Sequence, residues 1–477
     1  MAGVKELDQP RIVRVVFIAL LIDLFAFTII LPLFPRLLNY YQSQELQDKN
    51  SVLGYAFQGL EYFKHLIVAN KRAPNVIADK WDTVLLGGMV GSLFSFLQFI
   101  VSPYIGRASD KFGRRKVLLY TMIGNVLSAL VWLIAGSFEL FLISRVIAGL
   151  SEGNVQLSIA IISDITTPEK RSKNLALVGI AFAVAFTVGP AVGAWFASID
   201  LSIVCPSLVK FGIYPYSMAA FVGLVLLLIE TTYLYFALPE TIHNRSLVEA
   251  ASTTSSTPAP KLTLEMIHRR LLDLVYLKRL MCGFSFLFSG MEFTLVFLTF
   301  DILDFSHMQQ GKLLGYMGII SALIQGGYVR RKVDSVGEKV LAIQGMAACA
   351  VGLYCLSNSV TSVLYAPHWL YAGVSCLAFT SGTVVNCLTS LASLQCHEDS
   401  TRQDPLSKGR ALGEFRSYGQ LGRAFGPVTA SAVYWLFGPR PCYSFGALLM
   451  IGITWMTVLS APSRKKLVKR TAVKKTQ

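Results

Sequence analysis

Apolar runs of about twenty residues recur along this chain with only short breaks between them. A helix needs a run of that length to cross the roughly 30 Å of hydrocarbon in a bilayer. The runs lie at residues 12–38, 83–105, 117–136, 139–163, 172–197, 215–237, 278–300, 311–331, 338–357, 366–393, 410–438 and 441–460. The sequence therefore predicts an all-α membrane protein with twelve transmembrane helices.

The composition agrees with a membrane location. Of the 477 residues, 53% are hydrophobic and only 15% are charged, and the mean hydropathy is +0.54. A soluble protein of this length is less apolar. The first run is too long, and too acidic in its middle at Asp23, to be a cleaved signal peptide. We therefore expect it to stay in the mature protein.

The formal net charge of +15 comes largely from basic clusters at residues 111–116, 170–173 and 464–475. These clusters fall on one side of the membrane if the spans alternate. By the positive-inside rule that side is the cytosol, and both termini lie there. A nucleic-acid partner is not needed to explain the charge.

The last four residues, KKTQ, place Lys474 and Lys475 as in a dilysine retrieval signal of the endoplasmic reticulum. The alternative is a basic tail that only touches anionic lipid. We expect the endoplasmic reticulum and nuclear envelope, or else the plasma membrane.

A polar stretch rich in Ser, Thr and Pro follows Pro239 and divides the chain into two similar halves. We predict a six-helix bundle over 1–238, a cytosolic linker over 239–275, a second six-helix bundle over 276–462 and a basic tail over 463–477. VGPAVGAW in the fifth span matches FGPVTASA in the eleventh, and DLFAFTII in the first resembles GMEFTLVF in the seventh. Internal repeats of this kind are typical of secondary transporters, whose sites lie between the halves.

The segment GRASDKFGRRKV joins the second and third spans and carries Gly106, Asp110, Gly113, Arg114 and Arg115. It resembles the signature of the major facilitator superfamily at this loop, G-x-x-x-D-R/K-x-G-R-R/K. The glycines permit a tight turn and close approach, and the aspartate can pair with an arginine or a helix N-terminus and so latch neighbouring helices. The alternative is an ordinary basic loop.

Further motifs agree with this family. SRVIAGLSEG, with Arg145, resembles its fourth-span motif, GIAFAVAFTVGPAVG resembles its fifth-span antiporter motif, and LPET closes the sixth span. Small residues also let helices pack closely, so we assign a packing role to these five: Gly189, Pro190, Gly193, Gly426 and Pro427.

Nearly the whole chain is similar to the drug and proton antiporters of the tetracycline-exporter branch. The stretches SGMEFTLVFLT, QQGKLLGYMG and EFRSYGQLGRAFGPVTASAVYWL are similar to an animal group of this branch. That resemblance implies transport of organic anions through a twelve-helix fold.

Asp23 lies nine residues beyond Arg14 at the cytosolic edge, about 13 Å deep at 1.5 Å per residue. A bare carboxylate costs several kcal/mol there, so it must be neutral, paired or facing a wet cavity. In the related antiporters an acid at this point, nine residues before the proline that corresponds to Pro32, belongs to the transport machinery. We expect Asp23 to carry a coupled proton, together with Glu292 of the seventh span and Glu152 after the fourth-span motif. A buried ion pair with an arginine is the alternative.

Arg416 and Arg423 lie two turns apart on one face of the eleventh span. Arg416 either binds substrate or extends towards the cytosol, whereas Arg423 is too deep for that. We expect Arg423 to bind a substrate carboxylate, or to pair with Glu152 or Glu292. Arg145 is a further candidate substrate ligand. Gln325 and Asn386 either line the cavity or bridge helices.

The sequence contains no pattern that predicts a cofactor site, a metal site or an enzymatic activity. It has no nucleotide-binding loop, and CHED at 396–399 is a lone polar cluster. A disulfide between Cys205 and Cys442 stays open, since the spacing says nothing specific. We expect a monomeric secondary active transporter that exchanges protons for a small organic anion or an amphipathic drug-like solute. A facilitative uniporter of the same fold and a non-transporting scaffold or receptor are the alternatives.

Overall fold

The computed structural model describes most of the chain, and no strand occurs in the described part. The described residues are 9–30, 33–45, 51–68, 80–197, 199, 201–204, 207, 212–242, 264–305, 307–361, 365–397 and 405–462. Several predictions fall outside them, namely most of the linker, the basic tail with its dilysine pair, Cys205 and the end of the CHED cluster. Cys442 is described as a buried free thiol.

Among the described residues, twelve helical segments correspond to the predicted spans. The first six are α1 (Gln9–Thr28), α2 (Lys80–Phe112), α3 (Arg114–Leu133), α4 (Phe138–Ser151 and Asn154–Ile165), α5 (Pro168–Ala197) and α6 (Ser217–Ala237). The last six are α7 (Leu264–Phe297), α8 (His307–Leu323 and Arg330–Val336), α9 (Glu338–Ser359), α10 (Ala366–Gln395), α11 (Lys408–Phe437) and α12 (Pro439–Ser460). A π-helical segment at Leu298–Ile302 extends α7, and another at Ile324–Val329 joins the two pieces of α8. The predicted twelve-helix architecture is confirmed.

The buried apolar side chains divide between the two halves of the chain. One large cluster consists of residues from α1 to α6 and the segment just after α6. A second consists almost entirely of residues from α7 to α12. The two halves are therefore two bundles, each with its own core. They meet mainly where α2 lies against α11, and where α5 lies against α8 and α10.

Nine of the described helical segments are long and apolar enough to cross a membrane. The three other segments of the twelve are α1, α8 and α11. α1 contains Arg11, Arg14 and Asp23, α8 is interrupted by its π-helical segment, and α11 contains Arg416 and Arg423. Mid-span polar groups reduce the mean hydropathy of a helix, so the less apolar segments are where a polar site is expected.

The predicted first span, 12–38, is wrong in one respect because it joins two helices. α1 ends at Thr28, and a separate helix runs from Phe34 to Glu45. The sequence has prolines at 32 and 35, and proline disfavours a continuous helix. A further helix at Val52–Val68 follows it.

The small residues of the fifth and eleventh spans lie at helix contacts within each half. Gly189 and Gly193 of α5 lie against Thr28 and Ile29 at the end of α1. In the same way, Gly426 of α11 lies against Phe286 and Gly290 of α7. Pro190 and Pro427 lie within α5 and α11, which continue past them.

Candidate functional site

Asp23 lies in the middle of α1 and is 5% exposed. Its Oδ1 atom accepts a hydrogen bond of 2.7 Å from the side-chain amide of Asn154. Asn154 is the first residue of the second piece of α4, so the break in α4 brings this amide to α1. A buried carboxyl group needs such a partner, because the surrounding apolar side chains offer none.

Glu152 and Gly153 form the break in α4. The backbone of Glu152 is extended, with φ −69° and ψ 100°, and its carboxyl group interacts with Asn125 of α3 and with Arg416 of α11. Glu152 also interacts electrostatically with Asp23. The structure therefore brings two of the predicted acids together inside the first half.

Arg416 reaches these acids from the second half. It interacts electrostatically with Glu152 and Asp23. Its Nε atom is buried and has no hydrogen-bond partner among the described residues. Arg416 thus faces the acids of the other bundle rather than extending along the helix to its end. A guanidinium with an unused buried donor is suited to binding an anion.

Arg423 and Glu292 form an ion pair between α11 and α7. The Nη2 and Oε2 atoms are 3.8 Å apart, and the two side chains are 49% and 40% exposed. The sequence suggested Glu152 or Glu292 as a paired acid for Arg423, and in the structure Glu292 lies beside it. A half-exposed pair at this distance is weak, so the carboxylate of a solute can compete for the guanidinium.

Gln325 and Asn386 meet at one point of the interface between the halves. A methyl group added at Gly179 of α5 would overlap both amides. Gln325 lies in the π-helical segment of α8 and is 3% exposed, and its amide nitrogen donates to Ser321 at 3.3 Å. These two amides therefore join α8 and α10 to α5, which favours the helix-bridging alternative.

Arg145 lies apart from the central charges. Its guanidinium carbon is 5.2 Å from the centre of the Trp132 ring and 5.5 Å from that of Phe141. Burial and the neighbouring Tyr214 raise the pKa of Tyr41, so this nearby phenol stays neutral and does not balance the charge. The structure does not bring Arg145 to the other predicted substrate ligands, and its contacts favour a packing role at the aromatic cluster.

Glu230 of α6 was missed in the sequence and belongs with the central acids. It is 1% exposed and interacts electrostatically with Asp23 and Glu152. The signal was available, because Glu230 interrupts the apolar run LVLLLIETTYL as Asp23 interrupts the first span.

Residues 106–115, at the end of α2 and the start of α3, contact the second half on the side predicted to be cytosolic. We call this segment the motif face. Asp110 pairs with Nη1 of Arg114 at 2.8 Å and accepts hydrogen bonds from Ser407 Oγ at 2.7 Å, Gly409 N at 2.9 Å and Arg410 N at 2.7 Å. The last two are first-turn amides of α11, which have no partner within their own helix. Asp110 therefore caps a helix of the opposite half, and its charge is favourable there.

Arg114 lies at the centre of a fully buried charge cluster. Its Nε atom donates to Asp164 Oδ2 at 2.8 Å, and Lys408 Nζ lies 3.6 Å from Oδ1 of the same carboxylate. Lys408 also donates to the carbonyl oxygen of Ser163 at 2.9 Å. These contacts join α3, the end of α4 and the first residue of α11. Breaking a buried pair of this kind leaves an uncompensated charge, so the contacts resist partial opening.

Glycine is required at Gly113 and at Gly106 of the motif face for different reasons. Gly113 has φ +102°, a conformation that strains other residues, and a side chain there would overlap Glu240. Glu240, the acid of LPET, instead accepts from the backbone amides of Arg114 at 2.9 Å and Arg115 at 3.2 Å and so caps α3. Gly106 lies directly against the backbone of Gly409, so α2 and α11 cross at contact distance.

The second half has a related contact without the arginine. Gly337, with φ +91°, precedes Glu338 as Gly113 precedes Arg114. Glu338 is fully buried and accepts a hydrogen bond from Ser172 of α5, whose hydroxyl is also 2.6 Å from that of Ser390 on α10. The first contact joins α2 to α11, and the second joins α5 to α9 and α10. Both contacts between the halves thus lie at the same end of the molecule.

Comparisons with known proteins place this arrangement among transporters. A family model described as Major Facilitator Superfamily matches residues 16–403. The mouse protein (Mus musculus) named major facilitator superfamily domain-containing protein 10 is 34% identical over 94% of this chain and 92% of its own length. Tetracycline resistance protein, class C, of Escherichia coli is 24% identical over 73% of this chain and 79% of its own length.

Solved structures show the same fold. The crystal structure of the human organic anion transporter MFSD10 (TETRAN) has a TM-score of 0.77 and 31% sequence identity, covering 95% of this chain and 100% of that one. The proton:xylose symporter XylE has a TM-score of 0.69 at 16% identity, covering 95% of this chain and 96% of that one, which shows the fold alone. The chain is a multi-pass membrane transporter rather than an enzyme, and it belongs to the Major Facilitator Superfamily.

Proposed function

We propose that the chain is a proton-coupled secondary active transporter of organic anions or amphipathic drug-like solutes, working by alternating access. The observation that supports this most directly is that Arg416 of one half faces Asp23 and Glu152 of the other. A charge contact across the interface changes whenever the halves move relative to each other. Proton binding and the orientation of the site are thereby linked.

The solute site of this proposal lies around Arg416 and Arg423. Among the described residues, Arg416 has a buried donor without a hydrogen-bond partner, and Arg423 has the long contact to Glu292 as its ion pair. Two guanidinium groups on one face of α11 suit a carboxylate, sulfonate or sulfate. The similar human protein is described as an organic anion transporter, which agrees with this choice.

The direction of coupling follows from the charge of the solute. A cationic or amphipathic solute that binds the acids competes with protons, which gives the exchange implied by the tetracycline-exporter branch. An anion held by Arg416 instead removes the cation from Asp23 and Glu152, which then bind protons more readily. The motif face and the Ser172–Glu338 contact, at one end of the molecule, keep the site closed at that end in one orientation and open in the other.

The chain in its membrane is proposed to be a monomer with both termini in the cytosol, located in the endoplasmic reticulum and nuclear envelope or in the plasma membrane. The proposed boundaries are bundles at 1–238 and 276–462, joined by the linker 239–275.

The test of this function is uptake of a panel of radiolabelled organic anions into proteoliposomes, with and without an imposed pH gradient. We expect accumulation above the equilibrium level only when the gradient is present. Equilibration that ignores the gradient would favour the uniporter, and absence of uptake across the panel would favour a non-transporting protein.

A further inference from the structure

A groove lies between α6 and the first turn of α1, on the outer surface of the first bundle. Its volume is about 580 Å³, within the range of about 300–1,000 Å³ that is usual for ligand sites. Arg11 lines the groove from α1. The other lining residues belong to α6, and they are Leu228, Ile229, Thr232, Tyr233, Phe236 and Ala237. The groove therefore combines an apolar wall with one guanidinium group.

The apolar wall faces away from the core of the bundle. Leu228, Ile229 and Phe236 are 46%, 51% and 81% exposed. The buried residues of α6 form a different stripe along the helix, which includes Gly223, Leu224, Leu227, Glu230 and Leu234. The side of a membrane-spanning helix that is turned away from its bundle contacts lipid. The groove is thus open to the bilayer and lies on the far side of α6 from the central charges.

Arg11 lies at the level of the lipid headgroups. It is in the first turn of α1, and the end of α6 lies beside the motif face, where Arg115 donates to the carbonyl oxygen of Tyr235 at 2.5 Å. Both helix ends are therefore on the side predicted to be cytosolic. From Ala237 back to Leu228 the helix rises about 13 Å, close to the roughly 15 Å of hydrocarbon in one leaflet. The apolar wall thus has the depth of one acyl layer.

The charge at the headgroup end indicates which lipid fits. A guanidinium group binds a phosphate through two parallel hydrogen bonds, and Arg11 is exposed. In a zwitterionic lipid the choline or ethanolamine cation balances the phosphate, whereas an anionic lipid keeps a net negative charge. Anionic lipids give the cytosolic leaflet a negative surface that attracts basic residues next to a span. Charge complementarity therefore favours an anionic phospholipid.

We propose that this groove binds one anionic phospholipid of the cytosolic leaflet, with its phosphate on Arg11 and one acyl chain along Leu228, Ile229 and Phe236. The bound lipid connects α1 to α6 from outside the bundle. Such a site is independent of the transported solute and of proton coupling.

Photolabelling of the full-length protein in nanodiscs tests this site. The probes are a phosphatidylserine and a phosphatidylcholine with the same diazirine-bearing acyl chain, each diluted into unlabelled phosphatidylcholine, and mass spectrometry of peptides locates the label. One basic residue at an anionic surface contributes roughly 1 kcal/mol, which is about fivefold in binding. We therefore expect the serine lipid to label residues 228–237 about fivefold more than the choline lipid. Glycerophosphoserine, which has the headgroup without the chains, should not compete at the same concentration.

Arg11→Gln should remove the preference for phosphatidylserine. Arg14→Gln is the matched control, because Arg14 is an exposed arginine of the same helix and is not one of the described residues that line the groove. This control should keep the preference. Thr232→Trp, which fills the groove from α6, should reduce labelling by both lipids although Arg11 is intact. An equal loss of preference in the two arginine variants would show a general effect of surface charge and would overturn the site.

The wild type alone can also overturn the proposal. Equal labelling of α6 by the two lipids would show ordinary boundary lipid. Absence of label from α6 would exclude a lipid site and leave the groove to a helix of another protein, and competition by glycerophosphoserine would show a site for a soluble phosphate. If Arg11→Gln does not fold, the comparison of the two lipids still decides, and Arg11→Lys, which keeps the charge, should retain the preference.

Discussion

Asp110 of α2 accepts a hydrogen bond of 2.7 Å from the backbone amide of Arg410, in the first turn of α11. One carboxylate of the first half therefore caps a helix of the second half. Because a helix cannot satisfy its own first amides, opening the molecule at the motif face exposes them. The contact stabilises the closed arrangement without touching the central charges.

Asp110→Asn should slow turnover while leaving solute affinity nearly unchanged. Asparagine keeps one acceptor oxygen but removes the charge that attracts Arg114 and the helix N-terminus. Loss of a charge-assisted contact costs about 1.5–3 kcal/mol, so we expect a turnover rate lower by about tenfold or more. The measurement is initial uptake rate together with equilibrium binding.

Asp334→Asn is the matched control for this variant. Asp334 lies at the end of α8, its side chain is 50% exposed, and its Oδ2 atom is 3.9 Å from Nζ of the exposed Lys173. An exposed pair contributes little, so this variant should transport as the wild type does. A large loss of equilibrium binding in Asp110→Asn would contradict the assignment of Asp110 to the gate.

Ser172→Ala should destabilise the closed state through the second gate. The hydroxyl donates to the buried Glu338 carboxylate and also lies at hydrogen-bond distance from Ser390. Leaving buried polar atoms without this partner costs about 1–3 kcal/mol. Thermal unfolding should therefore begin at a lower temperature, whereas Ser335→Ala, at an exposed hydroxyl, should show little change. Equal melting temperatures in the two variants would exclude a gate at Ser172.

Binding of an organic anion should become tighter as the pH falls. An anion on Arg416 withdraws the cation that stabilises ionised Glu152 and Asp23, so these acids bind protons more readily. By thermodynamic reciprocity a proton on either acid strengthens the binding of the anion. Equilibrium binding at several pH values tests the sign, and Arg416→Gln should abolish the dependence. Tighter binding at higher pH would mean that the anion is not held by Arg416.

The positions of the spans and of the α2–α3 loop could be read from the sequence, because both depend on local patterns. Length and apolarity identified the twelve segments, and the motif identified Asp110, whose suggested partners, an arginine and a helix N-terminus, both contact it. The depth of Asp23 and Arg423 along their helices also follows from residue spacing.

The direction in which each side chain points could not be read in the same way. Arg145 and Arg416 both lie within predicted spans, yet one packs on Trp132 and the other faces the acids of the opposite half. The rotation of a helix about its axis depends on packing against neighbours that are distant in sequence. Glu230 was missed for a different reason, since its apolar run met the requirement for a span despite the single acid.

Arg423→Ala should weaken solute binding more than it weakens the fold. The pair with Glu292 is half exposed, so its loss should change the free energy of unfolding by about 1 kcal/mol or less. Loss of a charge-assisted bond to the solute should weaken binding by about tenfold or more. The double variant with Glu292→Gln separates the two roles. Recovery of binding in the double variant would show a structural pair rather than a ligand.

Asp23→Asn tests the coupling hypothesis most directly. Asparagine keeps the shape of the side chain and an oxygen that accepts from Asn154, but it cannot titrate. Accumulation driven by a pH gradient should therefore disappear in this variant. Exchange of labelled for unlabelled solute requires no net proton movement and should survive in Asp23→Asn. Gradient-driven accumulation by Asp23→Asn at the wild-type level would show that the proton is carried elsewhere.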